Sequence, residues 1–260
     1  MTALNQKDFK PFALKIDRAK ALLKALEAQI NLYANAGPYQ LVNEENVLKL
    51  RITPVPDIIS IVTGEIIYHL RSVLDQIAFA LSRKDHLTLE EIRNIYFPAW
   101  DANDSKKYKT YKKNKEFFDP KVWEIFDLIK SDKDRNDALC GLSRLFNTDK
   151  HREIIVTAIV PIFNNFTRTS PVGTFIEQAM RGERAGLWAS AMIKNGNQIM
   201  DGMIISEKIE GIHSTGDIGI PFNIQIKDME PFNAKPLLQL LEGLALKVEE
   251  TIALIQRELC

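Results

Sequence analysis

Apolar residues recur along this chain in two rhythms, and the change falls near residue 153. Before it, helical spacing dominates. Leu14, Leu22, Leu26, Ile30 and Tyr33 predict a helix over about residues 8–35, stopped by Gly37-Pro38. Alternation then predicts a hairpin. Its arms, 39–42 and 47–52, flank a polar turn at 43–46, and the second arm sets Leu48, Leu50 and Ile52 against Lys49 and Arg51. Pro54-Val55-Pro56 ends that arm, and Asp57, a good N-cap residue, opens a helix to about Arg83. A short helix near 87–94, capped by Thr88, precedes Phe97-Pro98 and a lysine-rich segment at 106–115. Asp119-Pro120 opens a helix through Ile129, with proline suited to its first turn. The charged stretch 131–137 links it to a helix from about Asn136 to Arg152.

After Glu153 the pattern turns to strands. Residues 154–163 are rich in β-branched side chains, and shorter strands are expected near 172–180, 203–212 and 218–227. Segment 183–196 reads either as a strand turning at Asn195-Gly196 or as a short helix ended by Gly196, and 211–217 reads as a hairpin loop. Pro236 begins a closing helix to Leu259 with the stripe Leu237, Leu240, Leu241, Leu244, Val248, Ile252 and Ile255. The fold class this implies is α+β: a helical bundle of long amphipathic helices packed with a small, mainly antiparallel sheet. We expect a single domain over 1–260, with a helical part to about 152 carrying an N-terminal hairpin, a strand-rich part over about 153–228, and the closing helix at about 236–259.

Two helices carry the ionisable residues of interest. Projected at about 100° per residue, the helix 57–83 places Ile59, Ile66, Leu70, Val73, Ile77 and Leu81 on its core face. Glu65, His69, Ser72 and Gln76 form one polar ridge beside it, and Tyr68, Arg71 and Asp75 form another. Glu65 and His69 lie one turn apart, within reach of sharing a proton or a metal; Arg71 and Asp75 have the spacing of an ion pair. The bland reading is a surface helix with two such pairs, each contributing a few tenths of a kcal/mol. On the helix 136–152, Leu139, Leu142, Leu145 and Phe146 face the core, while Arg144, Asn147 and His151 share another side. Asp149 falls in the apolar stripe, so either the helix ends before it or its carboxylate is buried and must be paired; on the second reading it is expected close to Arg71 or His69. Asp149, Lys150, His151 and Arg152 bring four ionisable groups to a helix–strand junction. The plain alternative is a basic helix end that complements the helix dipole.

Composition narrows the function classes. Lys+Arg and Asp+Glu are 34 each, so the surface as a whole is not built to coat nucleic acid or membrane, although a local basic patch remains open. The two cysteines, Cys140 and Cys260, give neither a disulfide framework nor metal-ligand spacing, which fits a reducing cytosol. Charges at Lys7, Asp8 and Lys10 interrupt any signal-peptide apolar run, and a cytoplasmic location with no membrane partner is expected. The basic patch is Lys106, Lys107, Tyr108, Lys109, Tyr111, Lys112, Lys113 and Lys115. Its lysines suit phosphates and its tyrosines suit unpaired bases, yet such runs are commonly solvated surface. No glycine-rich phosphate loop, zinc motif or nucleophile elbow is present, so no cofactor is expected.

Taken together, GEIIYHLRSVLDQIAFAL at 64–81, Phe97-Pro98 and NTDKHR at 147–152 resemble a family of uncharacterised bacterial proteins. Its members pair a Gly-Glu-x-x-x-x-Leu-Arg-x-x-Leu-Asp helix with an Asn-x-Asp-Lys-His-Arg block. Gly64, Glu65, Leu70, Arg71, Leu74 and Asp75 fit the first block; Asn147, Asp149, Lys150, His151 and Arg152 fit the second. Arg144 and His151, with six residues between them, also resemble the Arg/His mark of HEPN-like helical domains, many of them metal-independent RNases.

Three functions follow as expectations. A binding or scaffold protein would use Glu65, His69, Arg71, Asp75, Asp149, Lys150 and Arg152 as a polar network between two helices. A HEPN-like protein would cut or bind RNA: His151 would move the proton, Arg144 would hold the phosphate, and Asn147 would stand beside them. A metal-dependent hydrolase would draw on Glu65, His69, Asp149 and His151, which are suitable ligand types without a recognised spacing. RNA and a second copy of the chain, forming a homodimer, are the partners to test.

Overall fold

The structure is a computed structural model and describes residues 9–44, 47–99, 115–151, 156–159, 202, 204–207, 216–217, 223–226, 232 and 235–259. Helices dominate the described residues. In chain order they are α1 (Lys10–Asn35), α2 (Asp57–Leu81), α3 (Leu89–Arg93), α4 (Pro120–Ser131), α5 (Lys133–His151) and α6 (Leu237–Leu259). The strands are β1 (Tyr39–Glu44), β2 (Val47–Ile52), β3 (Val156–Ile159), β4 (Ile204–Glu207), β5 (Gly216–Asp217) and β6 (Asn223–Ile226). No described helix is long and apolar enough to cross a membrane.

The chain divides into two compact units, one of Met1–Glu27, Ser60–Ile154 and Leu238–Cys260, the other of Ala28–Ile59 and Ile155–Leu237. In the second unit, β1 and β2 pair antiparallel from Tyr39↔Ile52 to Glu44↔Val47, and β5 and β4 join their outer edges in the order β4-β2-β1-β5. β3 and β6 form a separate antiparallel pair. Gly37, at φ 65, takes the left-handed conformation that ends α1, and the Tyr33 hydroxyl then donates to the Thr53 carbonyl at 2.6 Å. β1 runs to Glu44, past the expected end at residue 42, and Glu44 bonds Lys49 and Arg51 across the hairpin at 2.9 and 2.6 Å. These two cations hold the Glu44 carboxyl below its usual range.

The first unit is helical, and its core follows the projected stripes. Ile66, Leu70, Val73 and Ile77 of α2 are buried within it, as are Leu139, Leu142 and Leu145 of α5. Lys20 of α1 pairs with Glu249 of α6. Thr88 caps α3 through a reciprocal arrangement with Glu91, which fixes the helix at Leu89.

Several expectations are corrected. Leu14 is 59% exposed; Leu22, Leu26 and Tyr33 are buried as expected, and the stripe of α1 also takes in Phe12, Ile16, Ala19 and Leu23, with Phe9 buried just before the helix. The short residue Ala19 carries that stripe through its middle, where a count of leucines alone points the wrong way. α5 begins at Lys133 inside the stretch expected to be a linker. The Asp132 carboxylate accepts the Arg135 backbone N–H at 3.1 Å and caps the helix, and this bond is the main reason its pKa lies below the usual value. Gly216-Asp217, expected in a loop, pairs with Gln40 and Leu41 of β1. The strands expected near 172–180 and the segment 183–196 lie outside the described residues.

Candidate functional site

α2 and α5 meet along one seam. Gly64 lies against Asp149, Tyr68 packs on Phe146 with ring centroids 6.2 Å apart, and Arg71 bonds Ser143 at 2.9 Å. As α2 advances from 64 to 71, α5 retreats from 149 to 143, so the helices run antiparallel. The steps of three and four residues are one helical turn each, which keeps all three contacts on one line.

The middle of the seam holds a buried ion pair. Arg71 is 6% exposed, and its guanidinium makes three hydrogen bonds to protein. Nη1 donates to the Ser143 hydroxyl at 2.9 Å; Nη2 donates to Asp75 Oδ1 at 2.7 Å and to the Phe97 carbonyl at 3.2 Å. Asp75 Oδ1 also accepts the Phe97 N–H at 2.9 Å. Both backbone groups of Phe97 are thus captured by the pair. The Ser143 hydroxyl completes the chain by donating to the Leu139 carbonyl at 2.9 Å. Burial pushes the Asp75 carboxyl above its ordinary value, while Arg71 and the Phe97 N–H pull it down. Arg71 remains charged, since even a buried guanidinium holds its proton.

This clamp explains Phe97. With its main chain fixed, its ring packs edge-on against Phe126 of α4 at 5.4 Å, and Phe126 in turn meets Phe118 and Trp123. Edge-to-face aromatic pairs add about 0.5–1.5 kcal/mol beyond their buried area. One hydrogen-bond cluster therefore ties α2, α5 and the segment after α3, and the aromatic cluster carries the tie on to α4.

The end of the seam is different. Gly64 has no room for a side chain: a Cβ there would stand 2.6 Å from Asp149 Oδ1 and 2.9 Å from Oδ2. Asp149 is half-buried, and burial raises its carboxyl pKa. Among the described residues Arg71 bonds Ser143, Asp75 and Phe97 and makes no bond to Asp149, whose carboxylate lies on the glycine of the first block.

His69 sits on the neighbouring ridge of α2, with Nδ1 enclosed and without a hydrogen-bond partner. Burial pushes its pKa below the ordinary imidazole value, and the positive charges of Lys15 and Arg18 on α1 push the same way against Glu65. The expected sharing of a proton between Glu65 and His69 does not involve Nδ1. No group of three or more His, Cys, Asp or Glu suited to a metal occurs among the described residues.

Arg144, Asn147 and Lys150 are exposed on α5. His151 closes α5 in the backbone, and its side chain lies outside the described residues, as do Arg152 and Lys106, Lys107, Tyr108, Lys109, Tyr111, Lys112 and Lys113. Lys115 is exposed, with Nζ 6.0 Å above the Trp123 ring. Sequence reasoning missed Ser143, whose hydroxyl bridges Arg71 to α5, and Lys15; the small polar residue on an otherwise apolar α5 stripe was the available signal for Ser143. It also missed a cavity of about 580 Å³ lined by Leu128, Ser131, Asp132, Arg135, Glu250 and Arg257. Its acids are already engaged, Asp132 by Arg135 and Glu250 by Lys247.

No family model, curated protein or solved structure matches this chain.

Proposed function

We propose that this chain is a non-catalytic binding or scaffold protein whose α2 and α5 are held in one register by a buried polar lock. A single observation carries the reading: the Arg71 guanidinium is spent on Ser143, Asp75 and Phe97 and is turned away from solvent. An arginine that serves a substrate presents donors to a cleft, whereas this one presents them to a neighbouring helix and a backbone segment. Residues of both sequence blocks line the same seam, Gly64 and Arg71 from the first and Asp149 from the second. On this reading the blocks encode helix pairing, and the resemblance to the uncharacterised bacterial family is a resemblance in that pairing.

The test replaces the lock with apolar residues. A register device tolerates a joint Arg71→Met, Asp75→Leu exchange, because well-packed apolar groups of similar size often match a buried ion pair. Either single exchange leaves a buried charge and unfolds the chain at lower denaturant. Labelled RNA incubated with the parent and with His151→Ala runs beside it. RNA cleavage that disappears in His151→Ala overturns the non-catalytic reading and favours the HEPN-like one.

A further inference from the structure

The ridge of α2 facing away from the lock carries a second cluster. Lys15 of α1 donates from Nζ to the Ser72 hydroxyl at 2.6 Å. Ser72 lies one turn from His69 on α2, and Arg18 lies one turn from Lys15 on α1. Lys15 and Arg18 both act on His69, so the two helices bring three nitrogen donors together with Glu65 as the one acid acting on the imidazole among the described residues. Lys15 uses a neutral hydroxyl as its partner and no described carboxylate neutralises it. Arg18 is exposed.

The imidazole has a defined orientation in this cluster. Nδ1 is enclosed without a partner, so a proton there would lack an acceptor, at a cost of about 1–3 kcal/mol. The favoured tautomer therefore keeps its proton on Nε2, leaving that atom as the donor the ring can offer a ligand. A Lys ammonium, an Arg guanidinium, a Ser hydroxyl and an imidazole N–H are all donors to oxyanions, and an ammonium and a guanidinium held together repel each other until an anion joins them.

We propose that Lys15, Arg18, His69 and Ser72 form a binding subsite for a phosphate group. The subsite gives the binding role proposed above a ligand class and rests on that reading, while using no residue of the Arg71 lock. Phosphate fits better than a single carboxylate because it offers three acceptor oxygens to donors arriving from two helices. Half-burial of Lys15, which lowers its pKa, strengthens each contact relative to one in open solvent.

The test uses the full chain and inorganic phosphate, titrated against chloride at matched ionic strength so that general screening cancels. The readout is the His69 Cε1–H proton resonance, assigned by its loss in His69→Gln. Binding shifts this resonance saturably with phosphate and not with chloride, and raises the His69 pKa. Lys15→Met weakens the apparent affinity by about ten-fold or more, as does Arg18→Met. Lys15→Arg keeps the charge and retains binding, and Lys24→Met, on an exposed position of α1, leaves it unchanged. Equal shifts with phosphate and chloride overturn the proposal, as does full phosphate binding in folded Lys15→Met and Arg18→Met proteins. RNA cleavage dependent on His151 would sink the non-catalytic reading without altering the phosphate titration, so the two failures are distinguishable.

Discussion

Arg71 and Asp149 are both charged residues on the seam between α2 and α5, and the seam treats them in opposite ways. Arg71, at the middle, is more deeply buried, yet its guanidinium meets a carboxylate, a hydroxyl and a carbonyl. Asp149, near the end of α5, is only half-buried, but its oxygens lie against the bare backbone of Gly64. The first arrangement fixes register because each bond requires one particular alignment of the helices. The second fixes distance, since the missing side chain of Gly64 lets the helices approach around the carboxylate. Depth of burial thus tells less about a charged residue than the count of its partners.

The largest expected effect comes from breaking the paired end. Arg71→Ala leaves Asp75 and the Phe97 carbonyl without their cation, and we expect a loss of about 3–5 kcal/mol in urea unfolding. A loss below ~1 kcal/mol would place Arg71 among ordinary surface pairs and collapse the contrast. Ser143→Ala removes the acceptor on α5 alone. It should cost about 1–3 kcal/mol by the same measurement, the penalty of one buried donor left unmet.

Gly64→Ala tests the close approach. The new methyl would overlap Asp149 Oδ1, and overpacking of this kind costs about 1–3 kcal/mol, offset by up to ~1 kcal/mol of helix propensity. Adding Asp149→Ala should recover most of the loss. A double variant as unstable as Gly64→Ala alone would show that another neighbour fills the space.

The smallest effect distinguishes the two charges by pH. Burial raises the native Asp149 pKa above the ordinary 3.8, so the folded protein holds this proton more tightly than the unfolded chain does. The ionised carboxylate therefore costs stability at neutral pH. That cost fades as pH falls through the raised native value and is gone below the unfolded value. Asp149→Asn is expected to raise Tm slightly at pH 7, with the difference shrinking toward pH 4. A variant less stable than the parent at pH 7 would mean that the carboxylate has a cation partner after all.

The helical part of the fold was legible because periodicity reports burial directly. Ile66, Leu70, Val73 and Ile77 are enclosed as their spacing demands, and Thr88 caps α3 as its side chain invites. Leu14 misled because the stripe of α1 passes through Phe12 and Ala19, residues a leucine count passes over. The start of α5 was missed because its first turn is charged, and the cap at Asp132 is a local bond that composition conceals. The spacing of Arg71 and Asp75 was visible, but at that spacing an exposed pair and a buried one look alike.

The sequence by itself determined which faces of α2 and α5 are apolar, and with them the helices that must pack, since the hydrophobic effect acts on area that a helical projection can count. Tertiary structure decided which polar residues meet. A guanidinium finds a particular serine and a particular backbone segment only once the helices are antiparallel and in register, and a glycine becomes indispensable only when a carboxylate from another helix occupies the space its side chain would need. Such contacts are directional and join residues as far apart as 64 and 149, so no local pattern in the chain specifies them.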